Sequence, residues 1–419
     1  MKVFKFGGAS VSTADGIKNV GSILNTYTGD KLLVVISAMG KTTNALENVV
    51  ASFYEGDIEK ALELFNEIKQ THLTIAADLE SEPLVPLEDF FTEIEWLLYD
   101  KPVKTFDYYY DQIVCVGELL STAIISNYLN SRGIKNYWID VRDVLRTDAN
   151  YRDATVDWDF TQHKVNEVVE PLFKTDNFLI TQGFIGATDE NQSTTLGREG
   201  SDYTAAIFAN MLQVESQTIW KDVEGVMNAD PKEWNKAEFI PKLNYREVIE
   251  MAYYGAQVIH PKTIKPLQNK NIPLFVRSFI NTTSSGTEIQ DKHIANLPPI
   301  IVYKKNQVLI QLSSKDYSFV GEGLTAEVYR IFDRLKFKPN LTQNAAISML
   351  CVVDAHPQKV QEFAAEAALH FDVEVSKNLL LLTVRHYKDT LLEELCSKSK
   401  VLLKQQTPDT TQVLLDAIQ

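Results

Sequence analysis

The chain has 419 residues, 45% of them apolar, and a formal net charge of −15 from 41 Lys+Arg against 56 Asp+Glu. That length predicts two or three domains with full-sized cores, and the acidic balance argues against a general nucleic-acid or anionic-membrane binder. The three scattered cysteines, Cys115, Cys351 and Cys396, exclude a CxxC metal site and point to a reducing compartment, so a cytoplasmic location is expected. The N-terminus reads as a strand, not a signal peptide, and no membrane span is expected, since no apolar run approaches about 20 residues.

Residues 2–6, KVFKF, alternate and predict a strand ending at Gly7-Gly8-Ala9-Ser10, with a helix over 13–27. Two glycines between strand and helix let the backbone approach a ligand closely. The spacing is neither GxxxxGK[ST] nor GxGxxG. Lys5, just before the turn, adds a point charge to its amides. The pair reads equally as a phosphate cradle and as a tight turn with an exposed lysine. Residues 32–36, LLVVI, are a continuous apolar run, the mark of a strand buried on both faces. It ends in a small polar stretch, Ser37 to Asn44, in which Lys41-Thr42-Thr43 is either a hydroxyl-rich substrate loop or a solvated turn. Ligands in open α/β sheets bind beyond the strands' carboxyl ends.

Helical periodicity covers 57–79 and 87–99, broken by Pro83 and Pro86, and a long helix over 107–130 stops at Gly133. Inside it lies Val116-Gly-Glu-Leu-Leu-Ser121. A mid-helix glycine costs about 1 kcal/mol relative to alanine, which suggests a close approach there. Glu118 is either an inward carboxylate for an ammonium group or an exposed glutamate. A strand over 137–141, a polar connection over 143–151 and a helix over 160–173 follow. The strand from Phe178 leads into residues 182–206, QGFIGATDENQSTTLGREGSDYTAA. This stretch re-enters order at a helix start capped by Ser201 or Asp202. Such a start attracts anions, and Arg198 adds a fork suited to carboxylate or phosphate. Taken alone, the composition also fits a surface loop.

A strand over 218–220 opens into a loop from Lys221-Asp222 to Asp230-Pro231-Lys232. It is either a solvated turn or a nucleotide loop, with lysines on phosphates and aspartates on magnesium or ribose hydroxyls. Helices over 245–254 and 262–269 follow, the second opened by His260-Pro261, with His260 packing or capping. A strand over 272–279 completes a mainly parallel α/β domain, residues 1–285. The polar stretch 281–299 ends in Pro298-Pro299 and marks a boundary. Residues 300–419 alternate short strands (307–313, 348–353, 379–385, 401–404 and 412–415) with helices (324–336, 358–370 and 389–397). That rhythm predicts one or two ferredoxin-like units, the second shortened, whose sheets pair chains into an oligomer.

Six motifs in this order resemble the aspartate kinases over nearly the whole chain. They are Lys5-Phe-Gly-Gly-Ala-Ser10, Ser37-Ala-Met-Gly-Lys-Thr-Thr-Asn44, Gly117-Glu118 with Ser121, Gly183-Phe-Ile-Gly186 with Thr194-Thr-Leu-Gly-Arg-Glu-Gly-Ser-Asp202, Asp222-Val-Glu-Gly-Val with Asp230-Pro-Lys232, and Tyr253-Tyr-Gly-Ala with His260-Pro261. The resemblance implies an amino acid kinase-like three-layer α/β sandwich with a mainly parallel sheet, followed by ferredoxin-like ACT regulatory units. It implies transfer of the ATP γ-phosphate to the β-carboxylate of L-aspartate, with Mg²⁺, as the first step toward lysine, threonine and methionine. It implies a homodimer joined through the ACT-like region, and no second catalytic domain.

A carboxylate nucleophile is ionised at neutral pH and needs no general base, so the roles concern position and charge. Lys5, with the Gly7, Gly8 and Ser10 turn, is expected on the γ-phosphate, and Asp202 is expected to orient Lys5 or the metal ion. Arg198, Ser201 and Thr43 are expected on the substrate carboxylate and Glu118 on its ammonium. Lys221, Asp222 and Lys232 are expected on the nucleotide. No protein-held metal site is expected. Glu199 stands where the family has glycine, and Gln257 where it often has a phosphate-binding lysine. Those departures motivate one competitor, a sensor of the same fold that has lost catalysis; a kinase acting on glutamate is the other.

Overall fold

The apolar runs of the first 290 residues become one twisted sheet. Its strands are β1 (Lys2–Phe6), β2 (Leu32–Ile36), β3 (Asn136–Ile139), β4 (Phe178–Gln182), β7 (Ser216–Lys221), β8 (Lys242–Asn244), β9 (Leu274–Ser278) and β10 (Thr287–Gln290). Their order is β3-β4-β2-β1-β7-β9-β10-β8. All pairings are parallel except that of β9 with β10. A small hairpin, β5 (Ile185–Ala187) with β6 (Ser193–Thr195), stands apart. In this computed structural model residues 1–81, 84–256 and 258–416 are described. They fall into two compact units. The first comprises Met1–Val226, Phe239–Ile249 and residues 258–294; the second comprises Met227–Glu238, Glu250–Ala256 and residues 295–416.

The helices are α1 (Ala14–Asn25), α2 (Thr42–Tyr54), α3 (Ile58–Asp78), α4 (Glu88–Tyr99), α5 (Phe106–Ser131), α6 (Trp158–Lys164), α7 (Glu170–Leu172), α8 (Gly200–Met211), α9 (Tyr245–Tyr254) and α10 (Pro261–Asn269). Strand residues alternate between faces. Phe4, Phe6, Val34 and Ile36 pack with Ile17, Val20 and Leu24 of α1 and with Ile124 and Tyr128 of α5. On the opposite side α8 lies on β1, β2 and β7, with α10 behind it. Helices on both faces of a mainly parallel sheet make the three-layer sandwich.

Helix α5 is the spine of this unit. It is long and apolar enough to cross a membrane, but 94% of its most apolar window is buried within the protein, as befits a core helix. Helix α2 was not expected. Its first turn is polar and gives a loop-like pattern, yet Leu46, Val49, Val50 and Phe53 form one buried stripe against α5 and α3. Gly117 permits that packing, since a Cβ there would lie 3.1 Å from both Thr42 Cγ2 and Leu46 Cδ1.

The second unit contains β11 (Ile300–Ser314), α11 (Glu322–Arg334), β12 (Pro339–Asn344), β13 (Ser348–Asp354), α12 (Pro357–Ala367), β14 (Phe371–Arg385), α13 (Asp389–Cys396), β15 (Val401–Gln406) and β16 (Thr410–Asp416). They build a single antiparallel sheet, β12-β13-β11-β14-β16-β15. Strands β11 and β14 are 15 residues each and pair along their length, with register shifts between Lys304 and Leu309. They run through two ferredoxin-like halves, and the second half has one helix, α13, where the first has two. Both strands were predicted shorter. Asn306 and Asn378 take left-handed backbone at φ 55° and 60°, and such polar bulge segments break the alternation that marks a strand.

Candidate active site

The turn after β1 and the loop after β2 meet at the carboxyl ends of their strands. Gly40 N–H donates to Gly8 O at 3.0 Å and Ser37 N–H to Phe6 O at 3.1 Å. A Cβ on Gly8 would lie 2.6 Å from Ala38 O, so only glycine fits. Ser10 is buried and donates to Gly7 O at 2.6 Å, closing the turn. The Lys5 ammonium folds back over this turn, 3.4 Å from where a Gly7 Cβ would be.

Helix α8 brings the partner of Lys5. Asp202 Oδ1 is 2.7 Å from Lys5 Nζ, with side chains only 5% and 12% exposed. A desolvated pair of this kind holds its geometry, because removing either partner strands a buried charge. The helix begins two to three residues earlier than expected. Its N-cap is Glu199, not Ser201 or Asp202, and Glu199 makes no side-chain cap. Its backbone is left-handed, φ 54° and ψ 30°, the conformation that favours glycine at such a position. The Glu199 carboxylate turns to the chain: Oε2 accepts from His260 N–H at 2.9 Å. His260 in turn caps α10, with Nδ1 accepting from Lys262 N–H at 3.2 Å.

Helix α5 supplies the third wall. Glu118 is buried, and its Oε2 has no hydrogen-bond partner. Burial pushes its carboxyl up to about 8, against the pull of the Lys5 ammonium and the Ala38 N–H. Two turns earlier on the helix, buried Asp111 accepts from Thr195 N–H at 2.8 Å, from Thr195 Oγ1 at 2.7 Å and from Arg152 N–H. Burial raises it to about 6, with those bonds opposing. Asp111 thereby ties the hairpin and the 150–153 turn to α5.

These pieces enclose a cavity of about 520 Å³. Of the expected residues, Lys5, Gly8, Thr43, Glu118, Arg198, Ser201, Asp202 and Lys221 line it. Gly7, Ser10 and Asp222 belong to the same unit but not to the lining. Lys232 lies in the second unit, its N–H donating to Asp230 Oδ1 at 2.9 Å. Lys221 Nζ donates to Val258 O at 2.6 Å. Gln257 lies outside the described residues. The lining also contains Tyr110, Arg152, Thr195 and Glu199. The first three were missed, because residues 152 and 195 meet α5 through contacts between positions far apart in sequence, Arg152 with Asp107, Tyr110 and Asp111, and Thr195 with Asp111.

A parallel-sheet sandwich with a lysine–aspartate pair over a glycine turn defines a phosphoryl-transfer site of the amino acid kinase type. The model of the amino acid kinase family matches residues 1–278, and the chain belongs to that family, within it to the aspartokinases. Lysine-sensitive aspartokinase 3 of Escherichia coli (strain K12) is 31% identical over 357 residues, covering 84% of this chain and 78% of that protein. The chloroplastic aspartokinase 1 of Arabidopsis thaliana is 30% identical over 398 residues, 90% of this chain and 67% of that protein. Among solved structures, E. coli aspartokinase III in complex with aspartate and ADP (R-state) superposes with a TM-score of 0.84 at 27% identity, covering 99% of this chain and 96% of that one.

Proposed function

We propose that the chain is an aspartate kinase: it transfers the γ-phosphate of ATP to the β-carboxylate of L-aspartate, giving 4-phospho-L-aspartate, the first step toward lysine, threonine and methionine. The observation that carries this reading is the Lys5–Asp202 pair at 2.7 Å, set in one cavity with an unpartnered buried Glu118 and with Arg198. That set matches aspartate group by group. Glu118 takes the ammonium, which restores its ionised form. Arg198, Ser201 and Thr43 take the α-carboxylate. The β-carboxylate is left facing Lys5, already ionised and in need of no base. Lys5 and the Gly8 turn neutralise charge on the moving phosphoryl group, and Asp202 fixes the lysine. Lys221 and Asp222 serve the nucleotide.

ATP enters as its magnesium complex. Among the described residues no three His, Cys, Asp or Glu side chains group as a metal cage. A magnesium ion held chiefly by phosphates and waters, with one or two carboxylates, suits this lining. A cytoplasmic location goes with this chemistry. The sensor reading loses one motive, since the Glu199 carboxylate is engaged by His260 N–H.

The test is hydroxamate formation from aspartate, MgATP and hydroxylamine. Aspartate-dependent product is expected, with glutamate at least tenfold poorer in kcat/KM. No product at millimolar aspartate sinks the reading.

A further inference from the structure

The acceptor side of the cavity carries two guanidinium groups. Arg198 was expected there; Arg152 was not, and it lines the same cavity. Its backbone is left-handed, φ 70°, where arginine has no conformational reason to be. The turn is nevertheless fixed. Arg152 N–H donates to both oxygens of buried Asp111, at 3.2 and 3.1 Å, and the same carboxylate holds Thr195 of the cavity wall. The turn also lies against Gly197, where a Cβ would be 2.8 Å from Asp153 Oδ1 and 3.2 Å from Arg152 O. The position of the arginine relative to the Thr195–Glu199 wall is therefore set by buried contacts.

The side chain is poised, not buried. Its guanidinium stacks over the Tyr110 ring at 4.4 Å, and Tyr110 lines the cavity too. Its present carboxylate partner is Asp107, Nη1 to Oδ1 3.2 Å, with both side chains about half exposed, 49% and 55%. A half-exposed ion pair is weak, so another carboxylate can replace Asp107 with little loss. Of the cavity's other charges, Lys5 is committed to Asp202, Lys221 to Val258 O and Glu199 to His260 N–H.

We propose that Arg152 exchanges Asp107 for the α-carboxylate of the acceptor amino acid, so that it and Arg198 together make the site specific for an acceptor bearing a second carboxylate. The inference rests on the aspartate kinase reading. It makes Arg152 a specificity-determining residue that swings from a rim ion pair onto bound substrate. A guanidinium can take both oxygens of a carboxylate in its fork.

Steady-state kinetics of Arg152→Gly, Arg152→Lys and Asp107→Asn, with aspartate and with β-alanine, test it. Glycine suits φ 70°, so Arg152→Gly is expected to melt at or above the wild-type temperature, which separates the side chain's role from that of the turn. Its KM for aspartate is expected to rise ten- to a hundredfold, with kcat within threefold and KM for MgATP unchanged. The preference for aspartate over β-alanine, which lacks the α-carboxylate, should shrink by a similar factor. Arg152→Lys should recover part of the loss, and Asp107→Asn should lower KM for aspartate by freeing the arginine. An unaltered aspartate KM in Arg152→Gly, an equal rise in both substrates' KM, or an unaltered β-alanine discrimination overturns the inference; a KM that does not fall in Asp107→Asn overturns the exchange. If wild-type protein makes no aspartyl hydroxamate, the functional reading fails instead.

Discussion

Glu118 is a carboxylate placed where a carboxylate is costly. Buried on α5 with one oxygen unpartnered, it is pushed up to about 8, so at pH 7 the free protein holds it mostly protonated. An arriving ammonium ion reverses that balance, because an adjacent cation favours the charged form. Aspartate binding should then release close to one proton at pH 7. The sign follows: KM for aspartate should fall as pH rises from 6 toward 8, by up to about tenfold per unit, and level off above. The stability of the free protein runs the other way. The raised folded value favours the neutral form, and that contribution is full below the unfolded value near 4.5 and lost as pH passes through about 8. Calorimetry in two buffers of different ionisation enthalpy reads the released proton directly, and Glu118→Gln should abolish it. A flat pH profile with no proton release would show that Glu118 does not receive the ammonium. Glu199 teaches a different lesson at this scale. Its identity motivated the reading of a sensor that has lost catalysis, whereas its φ of 54° is a backbone shape that favours the glycine expected there.

At the scale of elements, much of the site was legible and some was not, for separable reasons. Helix α5 announced itself by length and by the cost of Gly117, and the glycine turn after β1 by its place between strand and helix. Helix α2 was hidden behind a polar first turn, and the β5–β6 hairpin has strands of three residues, too short for periodicity to register. Arg152 and Asp111 are 41 residues apart in sequence and meet through a backbone N–H; no local pattern encodes such a bond. Gly183 shows how two elements are held at their closest point. A Cβ there would lie 2.5 Å from Ser201 Cβ and 2.7 Å from Ser201 Cα, inside the first turn of α8. Gly183→Ala must therefore push α8, and Asp202 with it, away from β4. The expected cost is about 1–3 kcal/mol of stability, the range for overpacking. Urea unfolding should show it, along with a loss of more than a hundredfold in kcat/KM from misplacing the Lys5 partner. Near-wild-type kinetics in a folded Gly183→Ala protein would mean that α8 can move without disturbing the site.

For the whole molecule, the second unit bears on assembly. Helices α11 and α12 cover one part of its sheet, packing Val328, Phe332, Val360 and Phe363 against Val308, Ile310 and Met349. A further cluster, Leu341, Val352, Leu379, Leu381, Leu403 and Leu414, is made of strand residues alone. At one end of the sheet, the segment before α11 lies beside the β12–β13 connection, with Val320 N–H on Ala346 O and Ser314 N–H on Ile347 O, each 2.8 Å. Tyr317 and Phe319 are 80% exposed on that segment, and Ile347 is exposed beside it. Clustered exposed aromatic and aliphatic side chains mark a protein interface more often than a free surface. The expected partner is a second copy of this chain, since a patch lying on a two-fold axis can pair with itself. Sedimentation equilibrium at micromolar concentration should give twice the 47.4 kDa of one chain. Phe319→Asp with Tyr317→Asp should shift the protein toward monomer without altering its melting of secondary structure. Such charges would be buried unpaired in a dimer, at a cost of several kcal/mol, but lie free in water on a monomer. A monomeric wild type would refute the self-pairing, and a dimer indifferent to both aspartates would place the interface elsewhere on the chain.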